Sequence, residues 1–203
     1  MLVHGAGSGP WVFDRWAHDS MTLVRVDLHA SGGVSNVSMK AYAEIVAEAC
    51  AGAPGPVALC GWSMGGLAAM MAAGLTEVAA LALLEPSAPA ELQGTHPVPA
   101  ASGTFDPEEV YGRFPPGIRA RPESERARAD RKRGISVPAL PERSLIVYGD
   151  EFVEERGHAV ARFYGIEEAH FPGLSHWDLV LDGSVAERVL DFLFGGPDLS
   201  GEA

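Results

Sequence analysis

Ser63 is the residue on which any chemistry in this chain would turn. It stands in Gly61-Trp62-Ser63-Met64-Gly65, after an apolar run (residues 56–60) that reads as a buried strand. The alanine-rich stretch that follows, residues 68–73, reads as a helix. A sharp strand-to-helix turn brings the chain ends together at Gly61 and Gly65, where side chains would collide. It would hold the hydroxyl at a helix N-terminus, with the Met64 N–H facing any negative charge that forms beside it. A serine hydroxyl attacks poorly until a base takes its proton, and an imidazole does so near neutral pH. The imidazole in turn needs a carboxylate to fix its tautomer and stabilise its cation. Candidate imidazoles are His176 and, on a strand, His170; candidate carboxylates at strand ends are Asp150, Glu151 and Glu85. A glycine-rich turn with an incidental serine is the competing reading of Gly61–Gly65, and the flanking strand and helix disfavour it.

A second glycine-rich turn, His4-Gly5-Ala6-Gly7-Ser8-Gly9-Pro10, follows the apolar start Met1-Leu2-Val3. Such a turn lets backbone approach a ligand. Read alone it could be a weak phosphate loop, but it lacks the Gly-Lys-Ser/Thr of a P-loop, and Trp11-Val12 stand where a third glycine would be needed. His4 reads as a brace for this loop, since buried histidines usually satisfy local hydrogen bonds.

The elements that must position these groups alternate. Strands are expected at residues 21–28, 56–60, 78–84, 144–148 and 168–171, and a short helix at 11–18. Longer helices are expected at 39–51, with Ser38 as N-cap, at 154–164 and at 184–194. Fully apolar strands alternating with helices indicate a parallel sheet covered on both faces. All its strands would point their C-terminal ends to one edge, so Ser63, Asp150 and His176 would emerge together although far apart in sequence.

The elbow, the His-Gly turn and this alternation together resemble the α/β-hydrolase family over nearly the whole chain. The resemblance implies a three-layer α/β/α fold with a mostly parallel sheet. The chain begins on the strand that carries His-Gly, so the first two family strands are missing and residues 23–28 should form a sheet edge. The family's order is Ser, acid, His, and its histidine loop matches Gly173-Leu174-Ser175-His176-Trp177. The resemblance thus implies Ser63, Asp150 and His176 as catalytic residues, with Asp150 fitting the acid position if that turn is two residues shorter than usual. Glu85, where a minority of the family carries its acid, and Glu151 are the alternatives. It also implies the N–H groups of Ala6 and Met64 as an oxyanion hole. Trp11, Trp62, Phe152 and Trp177 are placed to line an apolar substrate pocket, or equally to pack in the core.

Residues 87–141 interrupt the pattern where the family inserts a lid, leaving 1–86 and 142–203 as a single hydrolase core. The stretch is proline-rich, and from Arg113 to Arg133 it carries eight Lys/Arg against three acids. That local +5 leaves −17 on the rest of the chain. It reads first as a solvated helix against an acidic body. A lid that attracts anionic substrates or an acidic carrier protein is the alternative.

Composition sets the outer bounds. A chain of 203 residues with 47% apolar residues suits one soluble domain with a full core. A formal charge of −12 argues against nucleic-acid binding. No apolar run reaches a membrane span, and no basic-then-apolar leader opens the sequence. Two cysteines, Cys50 and Cys60, read as buried free thiols, which suits a cytoplasmic protein. No metal or cofactor is expected, and the state is monomer or a homodimer through the sheet edge. The function expected is a serine esterase acting on a small ester. Thioesterase, lyase or carbon–carbon hydrolase chemistry on the same triad, and a non-catalytic binding relative, are the alternatives.

Overall fold

Strands that are apolar on both faces are stable only where helices cover them from two sides, and the three central strands of a six-stranded parallel sheet are of this kind. The computed structural model describes residues 1–19, 21–30, 36–95 and 124–195. The strands are β1 (Leu2–Val3), β2 (Arg25–Val26), β3 (Ala58–Trp62), β4 (Ala80–Leu84), β5 (Ser144–Tyr148) and β6 (Glu167–His170), in the spatial order β2-β1-β3-β4-β5-β6. Every residue of β3, β4 and β5 is buried, so the three central strands form the floor of the molecule. Serine, acid and histidine candidates all follow the C-terminal ends of β3 to β6.

Alternation along each strand divides the core in two. Leu59, Leu81, Leu83 and Ile146 point to one face. There they meet Val46 of α1 (Met39–Ala51), Leu67 and Met70 of α2 (Met64–Ala73) and a further helix, α3 (Glu125–Arg133), through Ala127. Cys60, Trp62, Ala82, Leu84 and Val147 point to the other. A turn of 3-10 helix (Pro10–Phe13) covers that face with α5 (Asp178–Leu181) and α6 (Gly183–Phe194), two helices separated from it and α3 by α4 (Ala159–Tyr164) in the sequence. Each fully buried Val or Leu in these faces contributes about 1.5–3 kcal/mol. Cys50 and Cys60 are free and buried, and burial pushes the Cys60 thiol up to about 12.

Local signals set several boundaries. Ser38 caps α1 by accepting from Ala41 N at 3.1 Å, and β5 spans the expected residues. The strand expected at 21–28 pairs only at Arg25 and Val26, because its neighbour β1 offers just two residues. It does lie at the sheet edge, and Arg25 turns its guanidinium back to the Phe13 and Trp16 carbonyls. The helix expected at 154–164 opens as a π turn (Val153–His158) before α4. Gly157 lies so close to the Tyr148 ring that a Cβ there would be 2.6 Å from Cγ, and the wide turn admits this approach.

Within residues 87–141, the described parts are 87–95 and 124–141. The α3 helix is very polar and buries only Ala127, as a solvated basic helix should. It is docked at its middle, where Asp130 Oδ2 accepts from Met39 N at 3.1 Å in the first turn of α1. A carboxylate there also faces the positive end of that helix. Among the described residues, no helix is long and apolar enough to cross a membrane.

Candidate active site

The elbow is built by close backbone packing. Ser63 sits between β3 and α2 with φ 56° and ψ −122°, a conformation that costs a non-glycine residue energy and is usually found where function requires it. A Cβ on Gly61 would lie 2.6 Å from the Gly65 carbonyl oxygen and 2.7 Å from Gly66 Cα, so only glycine fits. A Cβ on Gly65 would overlap the His4 carbonyl. The start of α2 is therefore pressed against the His-Gly turn, and a Cβ on Gly5 would lie 3.0 Å from Ser63 Cβ. The first N–H groups of a helix have no partner within it, and Met64 contributes one of them. His4 is wholly buried, with Nδ1 2.9 Å from Gly5 O and Nε2 accepting from Leu28 N at 3.2 Å. Both ring nitrogens hold backbone, which is the work of a brace.

Of the three candidate acids, the one paired with the histidine ring in the structure is Glu85. His176 Nδ1 is 2.6 Å from Glu85 Oε2, and Asp150 does not touch His176. Glu85 follows β4, the strand between the serine strand β3 and β5. It is fully buried and takes a left-handed backbone, φ 38°, that swings its side chain toward the histidine loop. Its second oxygen, Oε1, accepts from Gly149 N at 2.9 Å. Asp150 lies one strand further out with its side chain half exposed. Its oxygens bind His170 Nε2 at 2.9 Å and Gly173 N at 2.7 Å. The Gly173 N–H first, and His170 second, hold its carboxyl below the usual range. Asp150 thus ties down the loop that delivers His176. Glu151 does related work: its Oε2 accepts from His176 N at 2.8 Å.

The aromatic candidates are walls and supports of the histidine more than an open pocket lining. Trp62 is 1% exposed; its indole donates to His176 O at 3.0 Å, and its ring lies 5.0 Å from the imidazole. Phe152, 2% exposed, meets the imidazole edge-on at 5.2 Å. Trp11 is buried and packs in the core, the second of the two places expected for it. Trp177, half-buried, packs against Trp62 with its ring tilted and the centroids 4.5 Å apart. The Trp62 and Phe152 rings, with the Glu85 contact, hold the imidazole in place. With Nδ1 directed at a carboxylate, the proton belongs on Nδ1, and Nε2 keeps its lone pair. Among the described residues no hydrogen bond joins Ser63 Oγ to that nitrogen; in resting sites such contacts are often long and tighten with substrate.

Two neighbours were not singled out in the sequence. Arg156 lays its guanidinium over the Phe152 ring, 3.9 Å from the centroid. Their i, i+4 spacing at a helix start was the available signal. Ser87 donates its N–H to Ser63 O at 2.8 Å and accepts from Arg131 Nη1 at 3.2 Å, which links the elbow to α3. Among the described residues, no group of three or more His, Cys, Asp or Glu could hold a metal ion.

With a parallel sheet, an elbow serine and a buried acid–histidine pair in view, comparison with known proteins is informative. The model of the alpha/beta hydrolase family matches residues 1–196, and the chain belongs to that family. A comparison with curated protein sequences gives no match. Among solved structures, it is similar to a pyrethroid hydrolase from Sphingobium faniae, 18% identical, with 97% of this chain and 96% of that one covered and a TM-score of 0.63. It is also similar to a thermophilic esterase from Thermogutta terrifontis (17% identical, 95% and 88% covered, TM-score 0.61). A carboxylesterase from Bacillus subtilis matches at 16% identity, with 96% and 83% covered and a TM-score of 0.58. At these identities the likeness is one of fold.

Proposed function

We propose that the protein is a serine hydrolase that cleaves a small ester through an acyl-enzyme on Ser63, with His176 as base and Glu85 as the acid. The observation that carries this reading is the 2.6 Å contact between buried Glu85 and His176 Nδ1, at the same sheet edge as a strained serine elbow. Nε2 of His176 takes the serine proton as Oγ attacks the carbonyl carbon, and Glu85 stabilises the imidazolium. The Ala6 and Met64 N–H groups hold the oxyanion; losing one donor of this kind costs about 3–4 kcal/mol of transition-state stabilisation. The alcohol leaves with the proton from His176. Water then enters by the same route in reverse roles and releases the acid. The esterases among the structural neighbours support the ester as substrate by analogy of fold. Residues 87–141 form the lid in this reading.

A fluorophosphonate probe followed by peptide mapping tests the nucleophile, and p-nitrophenyl esters of varied chain length test the reaction. Labelling confined to Ser63, absent in Ser63→Ala, together with hydrolysis of short esters, is the expected result. An unlabelled wild-type protein would exclude an activated serine. Labelling without hydrolysis of any ester would redirect the reading to lyase or thioester chemistry.

A further inference from the structure

A cavity of about 230 Å³ opens beside the elbow, and its walls carry an excess of positive charge on an acidic protein. Arg131 and Lys132 of α3 line one side, Arg156 and Glu155 of the π turn another, and Ser87 its inner end. Ser87 is the residue whose N–H binds the Ser63 carbonyl, so the cavity wall is joined to the elbow by a backbone contact. Arg156 leads back to the same centre by a second route, since it covers Phe152, whose edge meets the His176 ring.

Arg156 is the informative member. Its guanidinium is half-buried and rests on an aromatic face, yet among the described residues it has no carboxylate in ion-pair contact. Arginines elsewhere on the surface do have such partners, as Arg162 with Glu154 and Arg188 with Glu167 illustrate. Burial lowers the Arg156 pKa, and nearby Glu85 and Glu155 oppose that shift; an arginine stays charged through such changes. The Phe152 ring covers the guanidinium on one side, and a guanidinium's N–H fork matches a planar carboxylate.

We propose that this cavity is an anion subsite, and that the preferred substrates are esters that carry a carboxylate, held by Arg156 and Arg131 while the ester carbonyl lies at Ser63. The proposal rests on the hydrolase reading above and specifies its substrate class. The cavity is positive on a chain whose net charge is −12, so its own field favours an anion there. Arg131 ties recognition to the elbow, because it donates to Ser87 Oγ from the wall opposite Arg156.

The test compares esters matched in size and differing in charge. Mono-p-nitrophenyl adipate is set against p-nitrophenyl hexanoate for an anion on the acyl side, and 4-acetoxybenzoate against its methyl ester for an anion on the leaving group. At low salt the wild-type protein should show kcat/KM at least tenfold higher for the anionic member of one pair, and the pair that discriminates reports which side of the ester enters the cavity. Arg156→Gln and, separately, Arg131→Gln should lower that ratio at least tenfold, mainly through KM, with Arg156→Lys retaining part of it. Two variants on opposite walls guard against a folding defect in one. Equal rates for the members of both pairs, with Ser63 labelled by fluorophosphonate, would overturn the subsite and leave the hydrolase intact. A parallel fall for both members in Arg156→Gln would make it a positioning residue for His176 and likewise overturn the proposal. Absence of both labelling and hydrolysis would remove the hydrolase reading, and the subsite with it.

Discussion

Glu85 Oε2 lies 2.6 Å from His176 Nδ1, although 91 residues separate the two in the chain. Both are buried, and the second oxygen of Glu85 is held by the Gly149 N–H, so the carboxylate has one position available to it. A buried carboxylate is costly unless it is paired and hydrogen-bonded, and here both oxygens are engaged. The two non-glycine residues with a left-handed backbone among those described are Ser63 and Glu85, so local strain gathers at the candidate site.

Asp150 acts on the loop, and its effect should appear in stability against pH. Its carboxyl is held below the usual range by the Gly173 N–H and then by His170, so the folded state favours the ionised form. A depressed folded pKa gives stability that is present above the unfolded value of about 4 and lost as pH falls through the folded value. Thermal melts of wild type and Asp150→Asn should therefore differ most above about pH 5, wild type being the more stable, and converge as pH falls below about 4. A constant difference across this range would contradict the assignment.

Gly61→Ala should be far more damaging than an ordinary glycine substitution. Its Cβ would meet the Gly65 carbonyl at 2.6 Å, and neither backbone segment can yield without moving the elbow. Urea titration should show a loss of about 3 kcal/mol or more, at the upper end of overpacking costs. Gly55→Ala would meet no atom within 4 Å and reports instead on its positive φ of 119°. Comparison of the two separates steric overlap from backbone strain.

Trp62→Phe removes an indole N–H that holds the His176 carbonyl at 3.0 Å. A hydrogen bond of this type contributes about 1 kcal/mol to stability, so the melting temperature should fall by a few degrees. Activity should fall further than stability alone explains, about tenfold in kcat with little change in KM, because the imidazole loses its backing. An unchanged kcat would make Trp62 core packing and nothing more.

Much of this architecture was legible because it follows from apolar periodicity and capping. The α1 helix with its Ser38 cap and the β5 strand coincide with expectation. The elbow was legible for a different reason: its glycines are forced by backbone overlap, and such constraints leave a fixed spacing in sequence. The acid was harder. Glu85 and Asp150 both follow buried strands, β4 and β5, and a linear sequence does not reveal which carboxylate turns inward. The turn of Glu85 depends on a left-handed backbone that its residue type does not advertise. The aromatic residues stayed open for a related reason, since Trp11, Trp62 and Phe152 fit a pocket wall and a core equally by composition; in the structure all three are buried. Arg156 left only the faint signal of its i, i+4 spacing from Phe152, because its significance lies in what it meets: that ring, and a cavity it lines with residues of α3.

The most direct test of the account is kcat/KM for a short p-nitrophenyl ester in Glu85→Gln set beside Asp150→Asn. Replacing the triad acid by its amide leaves packing nearly unchanged and fixes the wrong imidazole tautomer, which lowers kcat by about 10⁴ in the best-studied triad. Glu85→Gln should fall by roughly 10²–10⁴, while Asp150→Asn should stay within about tenfold of wild type, as a loop contact would. The reverse ranking, with Asp150→Asn nearly inactive and Glu85→Gln close to wild type, would contradict it.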